Sequence, residues 1–215
     1  MRYSHLLAAV ALAMLPSLAP AASPLPAPAQ DIPAASLKGQ QKAVFAGGCF
    51  WGVEAVFRHT KGVTSAVSGY AGGNAKTADY ETVSTGMTGH AESVEVTYDP
   101  AQVSYGELLR VFFSVAHDPT QLNRQGPDYG TQYRSAVFFT SDDQKRVAQA
   151  YVDQLSKAKT FSSPIVTQIV PLPAFYAAEA YHQNYLAQHR TQPYIVMHDL
   201  PKLYALKEQY PEYYR

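Results

Sequence analysis

Short apolar runs alternate with helically spaced apolar positions along most of the chain. Residues 43–46 and 63–70 are short, apolar and partly β-branched or aromatic, as buried strands are. Residues 91–98 alternate small or apolar with polar groups, which predicts a half-buried strand. The same patterns predict further strands over 135–140 and 165–172, and helices over 50–59, 104–115, 141–157 and 175–189. Ser104, with Glu107 three residues later, and Ser141 are candidate helix N-caps.

This order of elements predicts an α/β fold of the α+β two-layer sandwich type. A ferredoxin-like, split βαβ sheet is expected to be covered by helices on one side. Long loops are expected between elements, above all in the glycine-rich stretch that ends near Gly89. From about Tyr194 the chain is rich in tyrosine and contains two prolines, so an irregular C-terminal tail is expected.

The first 40 residues differ from the rest. One basic residue, Arg2, precedes an almost wholly apolar segment at 6–18, and Ala19-Pro20-Ala21 supplies small residues at a cleavage site. This pattern predicts a secretory signal peptide over 1–21, since a membrane span needs about 20 apolar residues and Pro16 interrupts this segment. An Ala/Pro-rich tether is expected over 22–40 and a single catalytic domain over 41–215. We therefore expect an exported protein, periplasmic or secreted, with no stable membrane insertion.

Composition narrows the function classes. Basic and acidic residues number 17 each, so nothing indicates a nucleic-acid partner or an anionic membrane surface. Seven scattered histidines and one cysteine show no metal-ligand spacing, and neither a metal nor another cofactor is expected. A single cysteine cannot form a disulfide within this chain, and an unpaired thiol in an exported protein is a candidate reactive group.

That cysteine, Cys49, follows the first predicted strand in the stretch Gly47-Gly48-Cys49-Phe50-Trp51-Gly52. It is expected where a strand turns into a helix. Free N–H groups at a helix start favour negative charge and so are expected to lower the pKa of the thiol. The alternative is a buried structural cysteine that behaves as a small apolar residue.

Several motifs in order resemble the A-type peptide-methionine sulfoxide reductases between about Lys42 and His189. The stretches that carry the resemblance are Gly48-Cys49-Phe50-Trp51-Gly52, Gly69-Tyr70-Ala71-Gly72-Gly73, Tyr80-Glu81-Thr82-Val83, Gly86-Met87-Thr88-Gly89-His90-Ala91-Glu92, His117-Asp118-Pro119, Arg124-Gln125-Gly126 and Asp128 to Ser135. The family has a two-layer α/β architecture, in agreement with the pattern.

The resemblance implies a nucleophile, an acid and two hydrogen-bond donors. Cys49 would attack the sulfoxide sulfur while Glu92 protonates the oxygen, and Tyr80 and Tyr133 would donate hydrogen bonds to that oxygen. Glu92 would need burial to keep its proton near neutral pH. Without the resemblance, Glu92 would be read as a solvated strand-end glutamate and the two tyrosines, among 16, as packing residues.

Five further positions are substrate-binding candidates. Phe50 and Trp51 would form an apolar seat for the S-methyl group, although Phe50 also fits an ordinary helix-face core. Asp128 could accept a hydrogen bond from substrate backbone or orient Tyr133. His182 and Tyr185, on one face of the predicted helix, either line the edge of the pocket or pack.

The resemblance also implies the reaction partners. These are oxidised proteins and free methionine sulfoxide, in the S epimer. Many relatives carry further cysteines in a glycine-rich C-terminal tail, whereas this chain has none there. The sulfenic acid left on Cys49 would need an external thiol, either a small thiol or a thioredoxin-like protein. Two alternatives stay open: a peroxidase or a Cys-His hydrolase using His90, and a non-catalytic binder of Met-rich segments.

Overall fold

The computed structural model describes residues 24–215, so the predicted signal peptide at 1–21 lies outside the described residues. The strands are β1 (Gln41–Gly47), β2 (Val63–Ala71), β3 (Ala91–Tyr98), β4 (Arg124–Gln125), β5 (Asp128–Tyr129), β6 (Ser135–Phe139), β7 (Gln168–Pro171) and β8 (Phe175–Ala177). The α-helices are α1 (Phe50–Arg58), α2 (Tyr80–Val83), α3 (Tyr105–Val111), α4 (Asp142–Lys157), α5 (Tyr185–Gln188) and α6 (Leu200–Gln209). Phe112–Ala116 and Ile195–Asp199 are π-helical turns.

Six strands form one sheet in the order β7-β6-β1-β3-β2-β8. β3 lies between β1 and β2 and pairs with both in antiparallel fashion, while α1 connects β1 to β2. β1 and β2 thus run in the same direction with one strand between them. This arrangement is a split βαβ unit, and it confirms the predicted fold class. β4 and β5 form a separate two-stranded hairpin.

The main core lies between the sheet and the helices. Alternate residues of β1 point to opposite faces, as strand geometry requires. Ala43 and Phe45 belong to the large core that includes α1, α3, α4 and α6, whereas Val44 and Ala46 belong to a smaller cluster with Phe138. The Phe45 ring stacks at 5.0 Å on both Phe57 and Phe112. β1 is therefore buried on both faces, which explains its continuous apolar run.

The predicted helix over 175–189 is wrong. Phe175–Ala177 is strand β8, which pairs with β2, and only Tyr185–Gln188 is α-helical. Asn184 has a left-handed backbone (φ 54°), which interrupts any helix through this segment. Helical spacing of apolar residues is present here, but pairing with the edge of β2 takes precedence over it.

The C-terminal tail is regular where an irregular path was expected. Ile195–Asp199 and α6 form one helical segment whose buried residues include Leu203 and Leu206. After it, the Lys61 N–H donates to the Tyr213 carbonyl at 2.7 Å, and the chain end lies against the C-terminus of α1. The tail therefore completes the domain.

The segment expected to be a tether also differs in part from that expectation. Ile32 is buried in the main core, and Asp31 accepts hydrogen bonds from Ser104 Oγ and from the Gly106 N–H. The Leu25 N–H donates to the Tyr210 hydroxyl at 2.8 Å. Within residues 24–32 the chain is thus held against the domain.

Candidate active site

Cys49 stands where β1 ends and α1 begins, as predicted, and it is the N-cap residue of α1. Gly48 makes the turn with a left-handed backbone (φ 85°), and a Cβ there would lie 2.4 Å from the Gln125 side chain. Glycine is required at this position on both grounds. Gln125 in turn bonds the Asp118 backbone through both ends of its amide. The turn that presents Cys49 is therefore rigidly braced.

The thiol borders a cavity of about 200 Å³ in which Cys49 is only 7% exposed. The cavity unites seven of the nine predicted site residues, drawn from α1, α2, β3, β5 and the turn before β6. Its lining residues are Cys49, Phe50, Trp51, Tyr80, Glu92, Asp128, Tyr133 and Tyr194. The combination of one thiol, two carboxyl groups and phenol hydroxyls around aromatic walls fits a small polar group attached to an apolar one.

Glu92 is the buried carboxyl group of this cavity, with 3% exposure. Its Oε2 accepts a hydrogen bond from the Phe50 N–H at 3.0 Å, which ties the acid to the first turn of α1. Burial raises the pKa of Glu92 to about 8, and the charges of Asp128 and Asp199 add to this effect. The Phe50 N–H and the Lys202 ammonium oppose it. At neutral pH this carboxyl group therefore holds a proton that it can donate.

The expected lowering of the Cys49 pKa is not what the structure shows. Burial raises the pKa of Cys49 well above its ordinary value, and the nearby charges of Glu92 and Asp199 raise it further. The Trp51 N–H at the helix start does lower it, as does Lys202, but both effects are smaller. The start of α1 does lower the pKa of Cys49, as predicted. Desolvation by segments distant in sequence, which close over the thiol, raises it by more.

Tyr80 and Tyr133 both line the cavity beside the thiol and the acid. Burial raises the pKa of each phenol, followed by the charge of Glu92, and Cys49 contributes to both shifts. Both hydroxyls therefore stay protonated throughout the physiological range and can act as donors. The Tyr80 N–H donates a hydrogen bond to Glu179 Oε1 at 2.9 Å, and this bond fixes the start of α2.

Trp51 lines the cavity and is held in place by contacts with Tyr185 and His182. Its ring stacks on Tyr185 with centroids 3.8 Å apart and planes 9° from parallel, and its Nε1 donates to His182 Nδ1 at 3.1 Å. His182 also contacts the rings of Phe50 and Tyr80. His182 and Tyr185 are not among the cavity-lining residues, so they support Trp51 instead of forming the pocket edge. Their shared helical face, on which the prediction relied, does not exist.

Asp128 lines the cavity but is not paired with Tyr133. It accepts a short hydrogen bond from the hydroxyl of Tyr194, which comes from the C-terminal segment. Sequence reasoning missed Tyr194, because nothing in the chain distinguishes it among 16 tyrosines before the path of the tail is known. Burial raises the pKa of Tyr194, and so does the charge of Cys49.

The structure argues against the hydrolase alternative. His90 lies outside the cavity lining, and both of its ring nitrogens are engaged, by the Gly73 N–H at 3.2 Å and the Asn74 carbonyl at 3.0 Å. It cannot serve as a base for Cys49 in this arrangement. Across residues 24–215, no three His, Cys, Asp or Glu side chains group as a metal site. Within the same range, no helix combines the length and apolarity needed to cross a membrane.

Comparison with known proteins agrees with this geometry. The family described as peptide methionine sulfoxide reductase matches residues 41–213. Peptide methionine sulfoxide reductase MsrA 2 of Mesorhizobium japonicum is 61% identical over 176 residues, covering 82% of this chain and 90% of that protein. Its namesake from Synechocystis sp. is 53% identical over 197 residues, covering 91% and 92%.

Solved structures show the same likeness. Methionine sulfoxide reductase A of Corynebacterium diphtheriae is 38% identical with a TM-score of 0.61, covering 72% of this chain and 77% of that one. Mxr1 from Saccharomyces cerevisiae in reduced form is 35% identical with a TM-score of 0.63, covering 71% and 87%. The sequence match spans the domain that carries the cavity, and the chain belongs to the peptide methionine sulfoxide reductase family.

Proposed function

We propose that this enzyme reduces the S epimer of methionine sulfoxide, both in oxidised proteins and as the free amino acid, with Cys49 as nucleophile. Thiol-dependent reduction of methionine sulfoxide is the activity of its family. The observation that carries the assignment of roles is the position of the acid beside the nucleophile. Glu92, neutral at pH 7, accepts a hydrogen bond from the N–H of Phe50, the residue after Cys49, and Glu92 and Cys49 border one cavity.

The chemistry follows from the groups in the cavity. The Cys49 thiol gives its proton to solvent, and the thiolate sulfur attacks the sulfoxide sulfur while the Glu92 proton passes to the sulfoxide oxygen; solvent then returns a proton to Glu92. The attack joins the two sulfurs; the oxygen then moves from the substrate sulfur to the Cys49 sulfur as the substrate S–O bond and the new S–S bond both break, which leaves a sulfenic acid on Cys49 and releases the thioether of methionine. Cys49 loses two electrons to the substrate and no net proton is consumed. Tyr80 and Tyr133 donate hydrogen bonds to the oxygen, and Phe50 and Trp51 contact the S-methyl group.

The second half-reaction needs a reductant from outside the chain. Cys49 is the one cysteine in the sequence, so no second sulfur can form an internal bridge with the sulfenic acid. We propose that one external thiol attacks Cys49 and releases water, and a second thiol resolves the mixed disulfide to regenerate Cys49. A small thiol and a thioredoxin-like protein both fit this scheme.

Replacing the nucleophile tests the assignment. Cys49→Ser should abolish reduction of dabsylated methionine (S)-sulfoxide with excess dithiothreitol and leave the folded state intact by circular dichroism. Treating wild-type enzyme with one equivalent of sulfoxide and then with dimedone should give one adduct on Cys49 by mass spectrometry. Residual turnover of more than a few per cent in the serine variant would refute the role of Cys49. Turnover of peroxide or ester in place of sulfoxide would refute the activity.

We propose in addition that the protein is exported, on the pattern of residues 1–21. Cleavage after Ala21 would start the mature chain at Ala22 outside the cytoplasm, in the periplasm of a cell that has one. N-terminal sequencing of protein purified from its native host tests this. An intact Met1 on protein from the cytoplasmic fraction would contradict export.

A further inference from the structure

The C-terminal helical segment brings an ion pair to the helix that carries the nucleophile. Asp199 ends the π-helical turn and Lys202 lies in the first turn of α6. Lys202 Nζ lies 3.2 Å from Asp199 Oδ1. Asp199 is fully buried, whereas the Lys202 side chain is 17% exposed. The Asp199 carboxyl group therefore lies inside the domain, where a charge is costly and retained only with a partner.

Gly52 shows how closely the pair approaches α1. A Cβ at Gly52 would lie 2.2 Å from Asp199 Oδ1 and 2.9 Å from Lys202 Nζ. Carboxylate and ammonium thus rest directly on the bare backbone of the first turn of α1, three residues after Cys49. Asp199 Oδ2 is buried and has no hydrogen-bond partner among residues 24–215. Nothing but Lys202 pairs this carboxyl group in the described chain, so the two side chains depend on each other.

Acidic groups surround the reaction centre, and the charge of Lys202 opposes their effect on the thiol. Glu92, Asp128 and Asp199 all lie close enough to influence one another. The Lys202 ammonium favours the ionised forms of both Cys49 and Glu92. The thiolate needed for attack must form close to these acidic groups, which raise the pKa of Cys49. A fixed positive charge nearby lowers that pKa and so stabilises the thiolate.

We propose that Lys202, fixed by Asp199 against the first turn of α1, is a positioning residue that stabilises the thiolate of Cys49. Lys202 is not among the cavity-lining residues, and it acts through the charge that it holds beside the first turn of α1. The inference rests on the proposed role of Cys49 as nucleophile, but it concerns the acidity of the thiol and can be tested without any sulfoxide.

Other titratable groups near Cys49 define the background of the test. They lie on β3, on β5 and the following turn, on α2 and on the C-terminal segment. They are Glu92, Asp128, Tyr133, Tyr80, Tyr194 and Asp199, with His198 beside Asp199. All of these groups stay in the chain when only Lys202 is replaced, and Asp199 alone loses its ion-pair partner, so a change in thiol acidity is then assigned to the Lys202–Asp199 pair.

The test is the rate of Cys49 alkylation by iodoacetamide as a function of pH, in wild type and in Lys202→Met. The rate follows the thiolate fraction, so a pKa raised by about one unit slows alkylation about tenfold at any pH below the midpoint. We expect a loss of about this size in Lys202→Met and recovery of most of it in Lys202→Arg. Lys207→Met, on the same helix but exposed and stacked over Tyr214, should match wild type.

Identical alkylation profiles for folded Lys202→Met and wild type would overturn the inference. If Lys202→Met does not fold by circular dichroism, Lys202→Gln, which keeps a polar end near Asp199, supplies the same comparison. The two proposals can fail separately. A shifted profile with no sulfoxide reduction by wild type would refute the function alone, while normal reduction with an unshifted profile would refute the role of Lys202 alone.

Discussion

Cys49 and Glu92 are a thiol and an acid whose protonation states are coupled by proximity. Both are buried beside the first turn of α1, and the negative charge of Glu92 raises the pKa of Cys49. In the reactive state Cys49 is a thiolate and Glu92 is a neutral carboxyl group, so the pair holds one proton. Below pH 8 the pair holds two protons, so the reactive state grows with pH until the first proton is lost at about pH 8.

We therefore expect kcat/KM for sulfoxide to rise about tenfold per pH unit and to level off near pH 8, because this parameter reports the free enzyme. Glu92→Gln should slow the chemical step by roughly 10²–10⁴, the usual contribution of a positioned acid. The break near pH 8 should disappear in this variant, since only the thiol still titrates. Single-turnover rates measured between pH 5 and 9 would show both effects.

Glu95→Gln is the matched control for that experiment. Glu95 lies on the same strand, three residues further on, and pairs with Lys42 at the surface at 2.8 Å. Its replacement should leave the rate and the break unchanged. A wild-type rate in Glu92→Gln would remove Glu92 from the mechanism.

Local sequence identified the reacting groups but not their acidity. Motif positions single out Cys49, Glu92, Tyr80 and Tyr133, and all four border one cavity. The direction of the thiol pKa was predicted from the helix start alone and is opposite to the one found. Burial of Cys49 involves residues as distant as Tyr194 and Asp199, and no local pattern encodes that contact.

At the scale of elements, Glu54 joins α1 to the segment that supports Trp51. Its buried carboxyl group accepts the Asn184 N–H at 2.9 and 3.0 Å and the Ser68 hydroxyl at 3.0 Å, and it pairs with Arg58. The Asn184 backbone is thereby fixed in its left-handed conformation just before Tyr185. One side chain thus connects a helix, a strand and a loop.

Removing this connection should destabilise the protein. Glu54→Ala leaves the Asn184 N–H and the Ser68 hydroxyl buried without their acceptor, and a loss of about 3 kcal/mol in the free energy of unfolding is expected. Urea unfolding monitored by circular dichroism measures it. Glu208→Ala, an exposed glutamate on α6, should change the stability little. A loss below about 1 kcal/mol in Glu54→Ala would show that the loop is held by other contacts.

Elements with strong local signals were predicted correctly. β1, α1, β3 and α4 match their predicted ranges within one or two residues, and Ser104 with Glu107 forms the expected capping box. The prediction failed for 175–189, where the apolar spacing was helical. There the chain pairs with β2 through Phe175–Ala177, an interaction between residues about 100 positions apart. Such pairing has no local signature.

At the scale of the whole molecule, the two ends of the described chain meet. Leu25 contacts the C-terminal segment through its N–H and the Tyr210 hydroxyl, and its carbonyl accepts from Arg110 Nε at 2.6 Å. The Tyr151 hydroxyl donates to the Pro26 carbonyl at 2.8 Å. Ala/Pro-rich composition carries no periodicity, so the docking of this segment could not be predicted from sequence.

Asp31 is a polar anchor of this N-terminal segment. Its carboxylate accepts from Ser104 Oγ and from the Gly106 N–H at the start of α3, where negative charge is favoured. Asp31→Ala should cost about 1–2 kcal/mol and lower Tm by about 2–4 °C per kcal/mol. Differential scanning calorimetry measures the shift, with the exposed Asp153→Ala as control. An unchanged Tm would mean that residues 24–32 contribute no stability through this contact.

The enclosure of the single thiol has a kinetic consequence. Cys49 is 7% exposed and borders the cavity of about 200 Å³, and no other cysteine in the chain can carry the oxidising equivalent to the surface. The reductant must enter the space that methionine has just left, so substrate and thiol exclude each other. Initial velocities should then follow a ping-pong pattern, with parallel double-reciprocal lines as the thiol concentration is varied. Intersecting lines would require a ternary complex that this cavity has no room to hold.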